Sequence, residues 1–388
     1  MRATSISTSV EIGLRFIGIW PGLPYGIVIW LAYMTCLVLA LYFQYVYIFD
    51  HFDVKNISNL IDALSIMLSA SFSGLKQISL WSNRRIFYDI LLAMEEHWNN
   101  VDIYDKSVSY IMSGNADLSR RCSNVLISIN ATGTIYYCMT TLARRETEFN
   151  EDLNISSKVL PIKMEFPFEV DASPLFELLA LVQIFYAVSV GSLNAVINCL
   201  LITLVLHVSG QIDILRRELL TICGNETSQR FSIVSSVRVL ISRHQSIITL
   251  SDNIEKLYSE IALMQFLSNT VVMCCVGFTF IESLGKDGAT VLMLKSATFY
   301  VAVILEAFIF CFAGEYLSAK SKSVGDAVYE ALWYNMPPAE CRILLFVILR
   351  SQKRLTITAG KIMDLSLIGF TSVIKASASY MSVLHAMY

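Results

Sequence analysis

Charged residues are scarce in this sequence. Asp, Glu, Lys and Arg make up 16% of its 388 residues, whereas 55% are hydrophobic and the mean hydropathy is +0.57. A soluble globular domain usually has roughly 25% charged residues, so this composition excludes an ordinary soluble protein and predicts an integral membrane protein. The net charge is only -3 and no basic stretch alternates with aromatic residues, which excludes a nucleic-acid-binding surface.

The motifs that carry common enzymatic chemistry are missing as well. No H-E-x-x-H, G-x-S-x-G, G-x-x-x-x-G-K-[ST], G-x-G-x-x-G or C-x-x-C pattern occurs. The nine cysteines are scattered, mostly in apolar stretches, and the five histidines are far apart along the chain. The sequence therefore predicts no catalytic residue, no metal site, no disulfide framework and no cofactor. We expect the protein not to be an enzyme.

What the sequence does contain is seven long apolar stretches. A hydrocarbon core of about 30 Å requires about 20 helical residues, so each stretch predicts one membrane-crossing helix. The second is the most polar, because it contains Asp62 and Lys76, and we expect both side chains to reach the interface from near its ends. The predicted spans are Ile27–Phe49, Ile57–Trp81, Cys122–Ala143, Pro174–Val208, Tyr258–Leu284, Val291–Leu317 and Ile362–Met387.

The distribution of Lys and Arg predicts the orientation of these spans, because cytoplasmic segments are enriched in both residues. With the N-terminus inside, the cytoplasmic segments hold 21 of them and the outer segments hold 7. The N-terminus is therefore predicted to be cytoplasmic and the C-terminus extracellular. Two N-x-S/T sequons, at Asn56 and Asn154, then fall on outer loops.

A layer of helices is predicted beneath the cytoplasmic face. The fourth helix continues past the bilayer, because apolar residues keep helical spacing there: Ile212, Leu215, Leu219 and Ile222. Two amphipathic helices are predicted on either side of Pro337 and Pro338, at Ser323–Tyr334 and Arg342–Ser351. We expect an all-α membrane protein with helices 1–6 in residues 1–322, and with the anchor helices and the last membrane helix in residues 323–388.

Ionisable residues deep in the predicted spans are few. Glu282 and Glu306 lie near or within helices five and six, and Lys375 lies in the last helix. Such residues are costly in a membrane and are functional candidates by default. The set is too small and too unpaired for an ion-coupled transporter. For Glu306 and Lys375, contacts inside the bundle and a direct role in permeation both stay open.

Four segments of the C-terminal third share a specific pattern of residue types and spacing. They are Ala327–Tyr334, Arg342–Gln352, Leu355–Lys361 and Phe370–Leu384, with Pro337 between the first two. The outer loop before helix four adds Phe166–Asp171 and Ser173-Pro174. This pattern resembles the insect odorant receptor family. Arg354 departs from it, because many members have proline there.

The resemblance implies a function. Members of that family form ligand-gated, non-selective cation channels, tetramers in which tuning subunits combine with a common co-receptor. The co-receptor has a much longer loop between helices four and five than the roughly fifty residues here, so the chain resembles a tuning, odorant-binding subunit. Its implied partners are the co-receptor, a small volatile ligand, permeating cations and membrane lipid, in the plasma membrane of an olfactory neuron dendrite.

The resemblance also implies where the gate and the ligand pocket lie. Val383 and Met387 take the positions of a hydrophobic constriction at the outer end of the last helix. The pocket lies in the outer half of the bundle, between helices two, three, four and six. Its implied lining is Leu64, Met67, Ser71, Asn130, Gly133, Tyr137, Gln183, Tyr186, Phe299, Tyr300 and Val303.

Two other functions remain alternatives at this point. A gustatory-type chemoreceptor would form a channel without the odorant co-receptor, and the sequence around Ser379-Tyr380 favours the odorant branch over it. A membrane transporter would show an internal repeat and interrupted helices, and neither pattern is present in the sequence.

Overall fold

The chain is almost wholly helical. The computed structural model describes residues 5–52, 57–99, 106–143, 159–168, 170, 172–222, 230–284, 290–331, 333–336 and 338–387. The α-helices among them are α1 Thr8–Phe16, α2 Gly26–Asp50, α3 Ile57–Ser82, α4 Arg84–Asn99, α5 Lys106–Ala143, α6 Leu175–Ile222, α7 Arg230–Ser283, α8 Thr290–Glu330, α9 Pro338–Gln352 and α10 Leu367–Met387. The sequons at Asn56 and Asn154 lie outside the described residues.

The seven predicted spans correspond to α2, α3, α5, α6, α7, α8 and α10. Among the described helices, α2, α6, α7, α8 and α10 are long and apolar enough to cross a membrane by length and composition. The other two are more polar because they bury polar side chains against neighbouring helices. In α3 these include Ser65 and Gln77, and in α5 they include Ser119 and Ser123.

Several helices are much longer than a bilayer is thick. At about 1.5 Å per residue, α6 and α7 extend roughly 70 and 80 Å, more than twice a hydrocarbon core of about 30 Å. The additional length lies on the cytoplasmic side. In α6 this part is packed, because Ile212, Leu215 and Leu219 are at most 2% exposed. The predicted extension of the fourth helix is therefore confirmed.

The cytoplasmic layer differs in one respect from the sequence prediction. Ser323–Tyr334 does not form a separate helix, because α8 runs without a break to Glu330 and a short 3-10 turn follows at Trp333–Asn335. Pro338 then opens α9, a position where its missing N–H costs nothing. The proposed division between residues 322 and 323 falls inside α8 and stays a prediction.

A polar cluster joins four elements of this cytoplasmic layer. His97 Nδ1 of α4 lies 3.1 Å from His207 Nε2 of α6, and His207 Nδ1 lies 2.8 Å from the Ser5 hydroxyl. Trp98 donates to that hydroxyl, and the other nitrogen of His97 faces Ser246 of α7. Burial lowers the pKa of His97 below its usual value. The fold thus brings together two histidines that are far apart in sequence.

A two-stranded hairpin connects α9 to α10. Its antiparallel strands are β1 Thr358–Ala359 and β2 Met363–Asp364. Gly360 at the turn has φ +60° and donates from its N–H to the carbonyl of Ser259 in α7, at 2.8 Å. The Thr358 hydroxyl donates to Glu255, also in α7, at 2.7 Å. The base of the last membrane helix is therefore attached to α7.

Close packing of α8 against this hairpin makes Gly314 a sensitive position. A Cβ added to Gly314 would overlap the carbonyl oxygen of Leu365 and lie 2.5 Å from the Leu365 Cβ. Gly314→Ala is therefore expected to lower the thermal stability of the purified protein, although alanine is the better helix former by about 1 kcal/mol. Gly114→Ala in α5 is the matched control, because its Cβ would contact nothing within 4 Å. Equal melting temperatures for the two variants would contradict this packing argument.

Candidate functional site

A cavity of about 590 Å³ lies between α3, α5, α6 and α8. Its volume falls within the roughly 300–1,000 Å³ typical of small-molecule sites. The wall is mainly aliphatic and aromatic, with a few polar groups. The residues that form most of it are Ile66, Ser69, Ala70, Ile129, Asn130, Gly133, Thr134, Tyr137, Cys138, Tyr186, Val190, Asn194, Phe299, Val303 and Glu306.

Six of the residues that the family resemblance implies as ligand-binding lie together on this wall. They come from α5, α6 and α8: Asn130, Gly133, Tyr137, Tyr186, Phe299 and Val303. On α5 the spacing of three and then four residues places one stripe of the helix towards the cavity. The predicted inner face of that helix therefore faces the cavity.

The predicted residues of α3 do not line the cavity. Leu64 packs beside a cluster that contains Cys275 and Phe278, and Met67 is only 4% exposed. The Ser71 hydroxyl donates to the Met67 carbonyl of its own helix. One residue corresponds to about 100° of helix rotation, so a small error in register moves a different face inward. The residues of α3 that face the cavity are Ile66, Ser69 and Ala70.

Gln183 and Tyr300 also lie away from the cavity wall. Gln183 is buried and its side-chain oxygen accepts a hydrogen bond from the backbone N–H of Ile162, at 2.9 Å. This hydrogen bond connects the outer segment around Ile162, which precedes α6, to the helix bundle. Tyr300 faces α7, where a Cβ on Gly277 would lie 3.6 Å from its ring and 2.5 Å from the sulfur of Met381 in α10. Tyr300 thus lies between a cavity helix and the last helix.

A buried network of charged and amide side chains lies at the inner end of the cavity. We call this end the floor. Lys76 is 2% exposed, and its ammonium donates to Asn194 at 2.8 Å and to the Gln265 carbonyl at 2.6 Å. The Gln265 amide donates in turn to Glu306 at 2.9 Å and to Asn269 at 2.8 Å. The prediction that Lys76 reaches the interface was therefore wrong. Its side chain turns inward because buried amide and carboxylate groups compensate its charge.

A second charged group lies beside Tyr137 at the outer end of the cavity. Lys295 donates to Asp62 at 3.0 Å, and the Tyr137 hydroxyl donates to the other oxygen of Asp62 at 3.3 Å. The Lys295 ammonium also lies 4.2 Å from the centre of the Tyr137 ring, which favours a cation–π attraction. Phe299 meets the same ring edge-on, with centroids 6.0 Å apart. The Tyr137 ring, which lines the cavity, is thus held from several sides.

This arrangement predicts the effect of breaking the outer ion pair. Lys295→Met should leave Asp62 without its cationic partner and free the Tyr137 ring, which weakens ligand binding at the outer end. We expect the ligand concentration for half-maximal binding to rise by at most about tenfold, because only part of the roughly 1.5–3 kcal/mol of a charged hydrogen bond reaches the ligand through the Tyr137 ring.

Binding measurements on the purified Lys295→Met protein and on the swap Asp62→Lys with Lys295→Asp test this expectation. The swap should recover part of the affinity because it restores opposite charges at the same two positions. An unchanged affinity in Lys295→Met would show that the pair has no part in binding.

The last helix has one packed face and one exposed face. Val373 and Ser377 are buried, and the Ser377 hydroxyl approaches the Thr270 carbonyl of α7 at 3.3 Å. On the other side, Val383 is 57% exposed and Met387 is 70% exposed. The two residues proposed as the pore gate therefore lie on a face that this single chain leaves uncovered.

Comparison with known proteins agrees with this architecture. A sequence profile described as 7tm Odorant receptor matches residues 56–378, which is most of the chain. The chain belongs to the insect odorant receptor family. It is similar to Odorant receptor 82a of Drosophila melanogaster, with 21% identity over 364 residues that cover 92% of each chain.

Two further relatives match over shorter stretches. Odorant receptor 13a of Drosophila melanogaster is 24% identical over 279 residues, covering 68% of this chain and 66% of that receptor, slightly under two thirds. The odorant receptor coreceptor of Aedes aegypti is 28% identical over 163 residues, covering 42% of this chain and 33% of the coreceptor. The family therefore includes both individual receptors and coreceptors.

A solved odorant receptor shares the fold. The insect olfactory receptor OR5 from Machilis hrabei, determined in complex with eugenol, superimposes with a TM-score of 0.79 at 13% identity, over 98% of this chain and 97% of that one. This agreement confirms an all-α membrane protein with seven crossing helices, and the family is one of receptors. The gustatory-type and transporter alternatives receive no support from these comparisons.

Sequence reasoning missed the charged ends of the cavity. Lys295 was not singled out among the ionisable residues of the predicted spans, yet it is 8% exposed inside α8. For Glu306, contacts inside the bundle were only one of two possibilities. One feature of the sequence could have indicated the charges at the floor. Lys76 in α3 and Glu306 in α8 have opposite charges and lie at similar distances from the outer ends of two apolar helices.

Proposed function

We propose that this chain is the odorant-binding subunit of a heteromeric, ligand-gated, non-selective cation channel. The observation that carries the proposal is a mostly apolar cavity, one of whose helices, α8, also packs against a last helix with an uncovered face. Small volatile molecules are held mainly by dispersion and shape in such a site. The ligand-binding residues we propose are those on the cavity wall, including Asn130, Gly133, Tyr137, Tyr186 and Phe299.

A ligand can influence the gate through contacts between the cavity helices and the last helix. Phe299 lines the cavity, and the adjacent Tyr300 faces Gly277 of α7, where Met381 of α10 also packs. Nearer the outer end, Leu384 of α10 packs on Cys275 and its neighbours in α7. A ligand that fits the open arrangement better shifts α10 towards it, and about 1.4 kcal/mol of preference changes the open-to-closed ratio tenfold.

The uncovered face of α10 supports the assembly part of the proposal. Exposed Val383 and Met387 lie four residues apart on that face, as a hydrophobic constriction around a shared axis requires. Other copies of α10, from the odorant co-receptor, would complete the pore of a tetramer in the plasma membrane of an olfactory neuron dendrite. The presence of coreceptors in the same family agrees with this partnership.

Whole-cell current tests the proposal directly. Cells expressing this chain alone, the co-receptor alone or both are exposed to a panel of volatile compounds. We expect odorant-evoked cation current that requires both subunits and persists in excised patches without G-protein signalling. Current from this chain alone would favour a self-sufficient receptor. Silence of the pair at the cell surface across the panel would contradict an odorant-gated function.

A further inference from the structure

The floor of the cavity presents a hydrogen-bond acceptor to a ligand. Glu306 is the one charged residue on the cavity wall, among the residues that the structure describes. One oxygen of its carboxylate accepts from the Gln265 amide at 2.9 Å. The other oxygen accepts no hydrogen bond from any described residue, although an ionised carboxylate can accept about four. Glu306 can therefore accept a hydrogen bond from a molecule in the cavity.

The floor also presents a donor. Asn194 lines the cavity, and its side-chain oxygen accepts from the Lys76 ammonium at 2.8 Å. Its amide nitrogen carries two N–H donors and donates to none of the described residues. The same ammonium contacts Gln265, which holds Glu306, so the acceptor and the donor belong to one network at one end of the cavity.

The charges on either side determine which way these amides point. Gln265 faces Lys76 with its carbonyl and Glu306 with its N–H, and the reverse orientation would place like partial charges together at both contacts. Asn194 is constrained in the same way, because its oxygen faces the ammonium. The donor at the floor is therefore the Asn194 N–H, and the acceptor is the Glu306 oxygen.

Several other polar groups on the wall are already used within their own helices. The hydroxyls of Thr132, Thr134 and Thr298 donate to carbonyls one turn earlier, at 2.7, 2.8 and 2.8 Å. Asn130 donates to the Leu126 carbonyl in the same way. The charged acceptor is thus found at the floor, where hydrogen bonds are strongest because one partner is ionised.

We propose that the cavity selects volatile alcohols and phenols, whose hydroxyl donates to Glu306 and accepts from Asn194. Ethers, esters and ketones can accept but cannot donate. An ammonium group can donate but has no lone pair for Asn194, and Lys76 already balances the charge of Glu306. The mostly apolar remainder of the wall accommodates the hydrocarbon part of the ligand. This inference rests on the proposed odorant-binding function and adds the ligand class.

A three-member ligand series separates the two hydrogen bonds. 1-Octanol has both a donor and an acceptor, 1-methoxyoctane has only the acceptor, and nonane replaces the hydroxyl by a methyl group of similar size. 4-Ethylphenol and 4-ethylanisole form a second pair with a shorter, aromatic body. With the co-receptor present, we expect each hydroxyl compound to evoke current at about ten- to hundredfold lower concentration than its ether, the ratio that a hydrogen bond to a charged group supports.

Variants of Lys76 and Glu306 test whether the preference for hydroxyl compounds over ethers arises at the floor. Glu306→Gln keeps the shape, and Gln265 then donates to the new amide carbonyl, so an N–H faces the cavity and the ether should become as effective as the alcohol. The double variant Lys76→Met with Glu306→Gln removes the carboxylate while keeping the floor neutral, and should lose the preference as well. Glu330→Gln is the matched control, because it makes the same chemical change at the exposed cytoplasmic end of the same helix and should leave the alcohol-to-ether ratio unchanged.

Each outcome has a distinct meaning. Ethers as effective as hydroxyl compounds in the unmodified receptor would overturn the ligand class while leaving an odorant-gated channel in place. A preference that survives in both Glu306 variants would overturn the role of Glu306. Absence of current for every compound of the broad volatile panel, with both subunits at the cell surface, would instead contradict the proposed function on which this inference rests.

Discussion

Replacement of Lys76 by methionine is expected to destabilise the protein by about 3 kcal/mol, the lower end of the range for removing one partner of a buried ion pair, because Gln265 separates Lys76 from the partly exposed Glu306. Lys76 is 2% exposed and forms hydrogen bonds to Asn194 and Gln265. Without the ammonium, those two oxygens lose their donor, and the carboxylate of Glu306 loses the positive charge that offsets it. We expect low surface expression and a lower melting temperature for the purified protein.

Two further variants separate the network from a general effect of removing lysine. Lys375→Met makes the same chemical change on the exposed face of α10 and should alter stability by less than about 0.5 kcal/mol. Adding Glu306→Gln to Lys76→Met should recover much of the lost stability, because a neutral floor no longer buries an uncompensated charge. Lys76→Met and Lys375→Met proteins of equal melting temperature would show that the network does not stabilise the fold.

Substitution of Val383 or Met387 by asparagine is expected to raise the current that flows without any ligand. The two residues are exposed on α10, one turn apart, at the proposed constriction. A narrow apolar ring blocks ions because water leaves it, and a polar side chain keeps it wet. A shift of about 1.4 kcal/mol towards the open state multiplies the open-to-closed ratio by ten. Basal current normalised to surface expression measures the effect.

The control for this experiment lies on the same helix. Ser382→Asn introduces the same side chain at an exposed position next to Val383 but rotated by about 100° around the helix. It should leave basal current unchanged. If Val383→Asn and Met387→Asn have the basal current of the unmodified receptor, the gate lies elsewhere on α10.

Most of the fold could be predicted from the sequence. In a bilayer every backbone polar group must be satisfied within the segment, so a long apolar stretch has no alternative to a helix. The predicted span Ile27–Phe49 and the observed helix Gly26–Asp50 differ by one residue at each end. The cytoplasmic extension of α6 was predictable for a similar reason, because a buried helical face repeats its apolar residues with a fixed period.

The candidate site was predictable only in part. On α5 the stripe Asn130, Gly133 and Tyr137 faces the cavity, whereas on α3 the predicted residues do not. Hydropathy distinguishes a membrane helix from a loop, but both the lipid-facing and the inward-facing sides of such a helix are apolar. Rotation about the helix axis is determined by packing with other helices, to which the composition of a single helix is nearly insensitive.

The polar floor depends even more on tertiary structure. Lys76 lies 118 residues from Asn194 and 189 residues from Gln265, and no local pattern connects them. Seen within α3 alone, a lysine near the end of a membrane helix is best explained by contact with the interface. Its actual environment is determined by three other helices, which contribute Asn194, Gln265 and Glu306.

The sequence by itself therefore determined the class of the protein and the number of its membrane helices, because these follow from transfer of residues between water and lipid. It also predicted their orientation from the distribution of Lys and Arg. Only the tertiary structure decided which helix faces enclose the cavity and which distant charges compensate one another at its two ends. Those arrangements arise from packing and hydrogen bonding between segments far apart in sequence, and these interactions act only once the helices have come together.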